Sequence, residues 1–145
     1  MLNDQTQRAR KVSKAKQKGT AFESAIVEYL KDKLCDDTIE RRALNGTCDR
    51  GDISGVTFCG LRMVLECKNE TRMRLSDYVR EAETEAKNDG AFYYAVIHKK
   101  RGTGISTLHT IGQQYVTMPL HMLKTMIYDA NRWYEEAHEN KENKK

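Results

Sequence analysis

The pattern of apolar and polar positions predicts a group of short strands before the middle of the chain. Three ranges, 39–43, 52–58 and 62–68, have the length and spacing typical of strands. The range 44–51, with two glycines and an asparagine, is typical of a loop, and Gly60 indicates a turn. Strands this close in the chain are expected to pair as a meander.

Helical periodicity predicts three helices, over about 20–34, 76–90 and 119–137. The first is expected to begin at Thr20, because Glu23 three residues later completes a Ser/Thr-x-x-Glu capping box. The second follows a serine cap and ends at a glycine. The third has a proline in its first turn, where the missing N–H costs nothing.

The apolar run 92–97 is typical of a strand covered on both faces. Strand 62–68, helix 76–90 and this buried strand follow in the order of a right-handed parallel crossover. A further hairpin, 105–111 with 115–118, is expected before the last helix. The sequence therefore predicts an α/β fold whose mixed sheet combines an antiparallel meander with a parallel crossover strand and is flanked by helices.

Composition narrows the class of protein. The chain has 145 residues, 39% of them hydrophobic and 32% charged, and carries 25 Lys and Arg against 21 Asp and Glu, a net charge of +4. This length suits a single domain, expected over 19–137. The absence of an apolar run of bilayer length and of a secretory signal predicts a soluble, cytoplasmic protein without membrane partners.

Both ends of the chain are strongly charged. Residues 1–18 contain six basic side chains, Lys14, Lys16 and Lys18 among them, against one acid, and cannot bury themselves. This segment is predicted to be flexible and is either a solvated tail or a basic arm for a polyanion. Residues 138–145 are expected to form a charged, frayed tail.

The pattern with the clearest chemical content joins Asp52 to the strand of Glu66 and Lys68. Alternation places Glu66 and Lys68 on one face of that strand, and Asp52 meets them if the two strands pair. Two converging carboxylates suit Mg²⁺, and a neighbouring lysine can orient an attacking water and offset developing charge. The alternative is a cross-strand salt bridge on the solvated face of the strand. The position of Glu66 and Lys68 argues against this alternative, because they lie in the most apolar part of the strand.

Glu23 is a candidate third carboxylate. Aliphatic residues lie three, four, seven and eleven positions after it, which places it on the apolar side of its helix. A glutamate in that position either serves only the capping box or lies at the rim of a cleft, and the rim avoids the cost of burying a charge. We favour the rim.

With Arg42, these residues resemble the PD-(D/E)XK nuclease superfamily, and specifically the archaeal-type and phage Holliday junction resolvases. The resemblance spans about residues 18–102 and rests on Glu23, Arg42, Asp52 and the sequence Glu66-Cys67-Lys68. The chain departs from the pattern in one respect: Gly51 replaces the proline before the aspartate. The order of helix, meander, helix and buried strand is that of the family core.

The resemblance implies a restriction-endonuclease-like core and a homodimer that hydrolyses phosphodiesters in branched, four-way DNA. It implies Mg²⁺, for which Mn²⁺ substitutes, and no small-molecule cofactor. Asp52, Glu66 and Glu23 would be metal ligands and Lys68 the catalytic lysine. A phage-encoded enzyme would act in the host cytoplasm. Two alternatives remain: a nuclease of another branch that cuts linear duplex, or a non-catalytic DNA-binding module of the same fold.

The sequence leaves two possible roles open for several further charged residues. Asp49 rivals Asp52 but stands in a glycine-rich loop, where aspartate commonly stabilises a turn. Glu83 has the spacing of a helical ion pair with Lys87, although a functional residue on this helix is known in some branches of the family. The basic run after the buried strand is either a charged turn or a phosphate clamp. Its members are Lys99, Lys100 and Arg101.

The last helix carries more apolar surface than one core requires. Leu120, Leu123, Ile127 and Tyr134 form one stripe, and a second stripe with two methionines and a tryptophan lies beside it. Together they exceed the roughly 100° arc that a helix normally buries. Either the sheet extends around the helix, or a second copy of the chain covers the surplus.

Overall fold

The computed structural model describes residues 4–43 and 48–142. Its strands are β1 (Glu40–Arg41), β2 (Ile53–Ser54), β3 (Thr57–Phe58), β4 (Leu61–Lys68), β5 (Tyr93–His98) and β6 (Tyr115–Thr117). Its helices are α1 (Asp4–Leu34), α2 (Leu75–Asp89), α3 (Leu108–Ile111) and α4 (Leu120–Glu142). The predicted positions at 1–3 and 143–145, and residues 44–47 of the predicted loop, lie outside the described residues.

The predicted mixed sheet is confirmed. Its strand order is β1-β2-β4-β5-β6, with β3 paired to β4, and β4–β5 is the parallel pair while the other pairings are antiparallel. Strand β5 is buried along its whole length, as the apolar run predicts. Helix α2 connects the two parallel strands, so the predicted crossover is present.

Two apolar clusters lie on opposite faces of the sheet. On one face, Phe22, Ile26 and Val27 of α1 pack against the inward residues of β2, β4 and β5. On the other face, Tyr78 and Ala82 of α2 pack with alternate residues of β4 and β5 and with α4. The crossover therefore brings α2 directly over the C-terminal half of β4.

The predicted start of the first helix is wrong. Helix α1 begins at Asp4, and residues 4–18, predicted as an arm separate from the domain, are the exposed first half of this helix. Lys, Arg, Gln and Ala in this segment are strong helix formers, and the packed second half supplies the nucleus. Since Thr20 lies inside the helix, the predicted capping box does not form.

Two strand predictions need correction. The predicted strand 52–58 is two short strands, because Gly55 takes a left-handed φ of 87° and a Cβ there would lie 2.6 Å from the Thr38 carbonyl oxygen. The first arm of the predicted 105–111 hairpin is instead α3, for which Thr107 and Thr110 form a reciprocal capping box. The pairing of β6 with β5 replaces the hairpin.

The remaining helix ends are close to those predicted. Helix α2 begins at Leu75 without a side-chain cap, so the predicted Ser76 cap is wrong, and Gly90 ends it in a left-handed conformation. Helix α4 extends to Glu142, beyond the predicted end near residue 137. In the part of the chain that the structure describes, no helix combines the length and apolar character needed to cross a bilayer.

Candidate metal and nucleic-acid site

Two carboxylates are brought together by the pairing of β2 with β4. Ile53 pairs with Leu65 in antiparallel register, which places the preceding Asp52 opposite Glu66. The Cys67 amide donates a hydrogen bond of 2.7 Å to Asp52 Oδ2 and fixes this carboxylate beside β4. Leu65 packs in the cluster beneath α1, so alternation turns Glu66 toward α2.

A cavity of about 500 Å³ opens at this point, at the C-terminal end of β4. Its lining includes all four predicted catalytic residues, Glu23, Asp52, Glu66 and Lys68, together with Lys18 and the chain from Asn69 to Thr71. Glu23 reaches the cavity from α1, where its neighbour Phe22 is fully buried. The Arg41 Nε donates to Glu23 Oε2 at 2.7 Å, so this carboxylate is already paired.

Lys68 lies between two carboxylates. Its Nζ is 2.7 Å from Glu66 Oε1 and 2.6 Å from Glu81 Oε2 on α2. Burial lowers the pKa of Lys68, but hydrogen bonds to Glu66 and Glu81 and their charges outweigh it and hold the pKa above its ordinary value. Because Glu66 is only 5% exposed, the predicted solvated face of the alternative is wrong, although Glu66 and Lys68 do form an ion pair within their own strand.

The carboxyl groups around Lys68 outnumber the positive charge available to balance them. Burial, and then the negative charge of Glu66, raise the pKa of Asp52 to about 8. Burial, and then the hydrogen bond and charge of Glu85, raise the pKa of Glu66 to about 8. One ammonium group therefore serves several clustered acids, an arrangement typical of functional sites.

Helix α2 contributes two acids that the sequence analysis missed. Glu81 pairs with Lys68, and Glu85 is buried against Glu66 with its pKa raised to about 7, mainly by burial. The two are four residues apart, so the helical period places them on one stripe of α2 beside Ala82, which packs on the sheet. Glu85 is buried on this stripe and Glu81 is half-exposed. That period is the signal that could have identified them. Glu83 pairs with Lys87 at 3.1 Å, as its spacing predicts.

Asp49 takes the turn role that the sequence predicts for it, and it does not line the cavity of Asp52. Its Oδ1 accepts a hydrogen bond of 3.1 Å from the Gly51 amide, which is a local turn interaction. It also lines a second cavity, of about 500 Å³, that lies against α2 and shares Glu66 and Lys68 with the first. Glu66 thus separates two acidic cavities.

A basic groove of about 300 Å³ continues from the first cavity. Lys18, Lys99 and Arg101 line it, and Lys18 is common to both spaces. Arg101 is oriented by a hydrogen bond of 2.8 Å from its Nη2 to the Thr71 carbonyl. The Lys99 ammonium donates to the carbonyls of Lys100 and Thr103 and so also stabilises its own turn.

The other predicted DNA-binding residues are not in this groove. Lys14 and Lys16 are exposed on the first half of α1. The Lys100 ammonium lies 5.6 Å from the centroid of the Tyr115 ring. Arg42 forms a bidentate, partly buried ion pair with Asp89, whose Oδ1 lies 2.8 Å from the Arg42 Nη1. The structure therefore gives Arg42 a role in holding β1 to the end of α2.

The site offers oxygen ligands without a preformed metal cage. Within ranges 4–43 and 48–142, no group of three or more His, Cys, Asp or Glu side chains is arranged to hold a metal ion. Glu66 Oε2 is buried and has no hydrogen-bond donor in those ranges. Two opposed carboxylates, one of which keeps an orphaned oxygen, suit Mg²⁺, which is bound through one or two carboxylates and keeps several waters. Asp52 and Glu66 thus fit the ion, with Glu23 at the rim of the same cavity.

Comparisons with family models, with curated proteins and with solved structures find no match for this chain.

Proposed function

We propose that this protein is a Mg²⁺-dependent endonuclease of the PD-(D/E)XK type, with a restriction-endonuclease-like core, that resolves four-way DNA junctions. The observation that supports it most is the convergence of Asp52, Glu66 and Lys68 in one cavity that continues into a basic groove. Carboxylates and a lysine beside a phosphate path are what metal-assisted phosphodiester hydrolysis requires. The resemblance at Glu23 and at the sequence Glu66-Cys67-Lys68 supports the same class.

In this proposal each residue of the site has a separate role. When bound, Mg²⁺ supplies Lewis-acid stabilisation of the developing phosphorane charge and lowers the pKa of a water. Asp52 and Glu66 hold it, and the Cys67 amide keeps Asp52 in place. Lys68, fixed by Glu66 and Glu81, orients the attacking water and offsets charge in the transition state. Lys18 and Arg101 bind the neighbouring phosphates.

The substrate class is tested by cutting a labelled four-way junction beside a linear duplex of the same sequences, each with Mg²⁺ and with EDTA. A resolvase cuts the junction only, and only with Mg²⁺. A nuclease of another branch cuts the duplex as well. A non-catalytic module binds one or both and cuts neither, which would contradict the proposal.

The basic groove predicts how junction affinity depends on salt. Phosphate contacts release counterions, so removing one contact should reduce the slope of log affinity against log salt by about 0.9. We expect Lys18→Ala and Arg101→Ala each to show this reduction. Lys33→Ala, at the opposite end of α1, is the matched control and should leave the slope unchanged. Equal slopes in all four proteins would remove the groove from the DNA path.

A twofold dimer is the proposed working unit, because resolution needs paired cuts and each chain supplies one site. On α4, Met122 of the second stripe is buried and Met126 packs against the second apolar cluster, whereas the first stripe stays uncovered. Leu120 is 81% exposed, Leu123 45%, Ile127 54% and Tyr134 64%. The sheet therefore does not extend around the helix to cover this stripe, and a second chain is the proposed cover.

We predict that Ile127→Glu gives a folded monomer that nicks junctions without paired cuts. A glutamate in an apolar interface loses its hydration, so the dimer dissociates, while the exposed site leaves the fold intact. Tyr128→Glu is the matched control, since it places the same charge on the same helix about 100° away. Light scattering at micromolar concentration should show twice the chain mass for wild type and control. A wild type that stays monomeric even with junction bound would contradict the dimer.

A further inference from the structure

Glu66 and Glu85 form a buried pair whose outer oxygens have no partner. Each residue is 5% exposed, and the two side chains lie within hydrogen-bonding reach of each other. The Oε2 atoms of both have no hydrogen-bond donor in the described part of the chain. Two carboxylates can share such a space only with something positive between them, which is either a proton or a cation.

The surroundings favour a cation. The second cavity, of about 500 Å³, opens beside the pair and is also lined by Asp49, Thr84 and Asn88. The negative charges of Asp49 and Asp52 act on Glu85. The nearby Lys68 ammonium is already bound by Glu66 Oε1 and Glu81. Arg74 and Arg80 also line this cavity, and Arg80 is paired with Asp77. The lining holds five acidic and three basic side chains, so negative charge exceeds positive charge beside the two free oxygens.

Gly51 keeps the space open. A Cβ at this position would lie 3.5 Å from Glu85 Oε2 and 2.7 Å from Val64 Cγ1. Its φ of 88° is also in the left-handed region, which favours glycine. The backbone thus approaches the carboxylate pair without a side chain between them.

We propose that a divalent cation binds between Glu66 and Glu85, on the α2 side of Glu66 and separate from the position beside Asp52. Two carboxylates suffice for such an ion, because Mg²⁺ and Mn²⁺ keep several waters as ligands. Glu66 bridges the two positions, and the second cavity provides room for those waters. This inference rests on the proposed function, since Glu66 also belongs to the site beside Asp52.

Counting bound Mn²⁺ on the full, DNA-free chain by electron paramagnetic resonance tests it. Wild type should bind two ions per chain, and Glu85→Gln and Asp52→Asn should each bind one. The Gln amide can donate to Glu66, so Glu85→Gln should fold and melt in EDTA no lower than wild type. Glu83→Gln, on the same helix but outside the lining of either cavity, is the matched control and should bind two.

One ion on wild type, or two on Glu85→Gln, would overturn the second position. The cleavage assays separate this outcome from failure of the proposed function. Two ions with no cleavage of any DNA would contradict the nuclease and support the cation position. One ion with Mg²⁺-dependent cleavage intact would support the nuclease and overturn the second position.

Discussion

Replacing Asp52 with asparagine is expected to abolish Mg²⁺-dependent cleavage, by at least about 10²–10³-fold, while leaving the metal-free protein as stable as wild type or more so. The amide oxygen of Asn can still accept the hydrogen bond from the Cys67 amide. The substitution removes the cost of burying the Asp52 charge and, second, its repulsion by Glu66, both of which raise the free energy of the metal-free fold. A cleavage assay checks the loss of activity, and melting temperatures in EDTA and in Mg²⁺ check the stability.

The difference in free energy of unfolding between Asp52→Asn and wild type should increase with pH. In the folded protein the pKa of Asp52 is about 8, above its ordinary value of 3.8, so the folded state binds this proton more tightly than the unfolded state. Metal-free wild type therefore loses stability as the pH rises between about 4 and 8. The stabilisation by Asp52→Asn should grow over that window and be smallest near pH 4.

Mg²⁺ should raise the melting temperature of wild type more than that of Asp52→Asn, since a ligand bound only by the folded state stabilises it by mass action. A structural salt-bridge role for Asp52 predicts the opposite pattern. In that case the variant would melt clearly lower than wild type in EDTA, and Mg²⁺ would affect the two proteins equally.

Replacing Lys68 with methionine should also abolish cleavage but should lower stability. Methionine keeps the apolar stem and removes the one cation between Glu66 and Glu81. Breaking a fully buried pair costs about 3–5 kcal/mol of unfolding free energy, and because Glu81 is half-exposed we expect about 2 kcal/mol here. For a chain of this length that lowers the melting temperature in EDTA by roughly 6 °C.

Lys87→Met is the matched control for this variant. Lys87 is exposed and pairs with the half-exposed Glu83 one helical turn earlier, and such pairs contribute less than about 1 kcal/mol. Its melting temperature and cleavage should equal those of wild type. If Lys68→Met cleaved at the wild-type rate, Lys68 would be only a structural counter-ion.

The sequence predicts the sheet better than its first helix. The apolar run of β5 and the apolar centre of β4 reflect burial on both faces of the sheet, and such burial gives a recognisable run of apolar residues in the sequence. Residues 4–18 have no such run, because they bury little and extend α1 through helix propensity and a packed neighbour. The Thr20 capping pattern misplaced the helix start for that reason.

The candidate site also contains residues that the sequence predicts and residues that it does not. Asp52, Glu66 and Lys68 stand in or beside one paired set of strands, where register brings them together and local pattern suffices to find them. Glu81 and Glu85 come from α2, and their approach depends on how that helix packs over β4. Arg42, which the sequence predicts as a DNA-binding residue, instead forms an ion pair with Asp89. The two residues are 47 positions apart, and no local pattern indicates that they meet.

A supercoiled plasmid carrying an extruded four-way junction tests the central claim most directly. Paired cuts at the junction convert it to a linear molecule, single cuts give a relaxed circle, and no cut leaves it supercoiled. We predict linear product for wild type with Mg²⁺, none with EDTA, and none for Asp52→Asn or Lys68→Met under either condition. Product from wild type in EDTA, or from Lys68→Met at the wild-type rate with Mg²⁺, would contradict it.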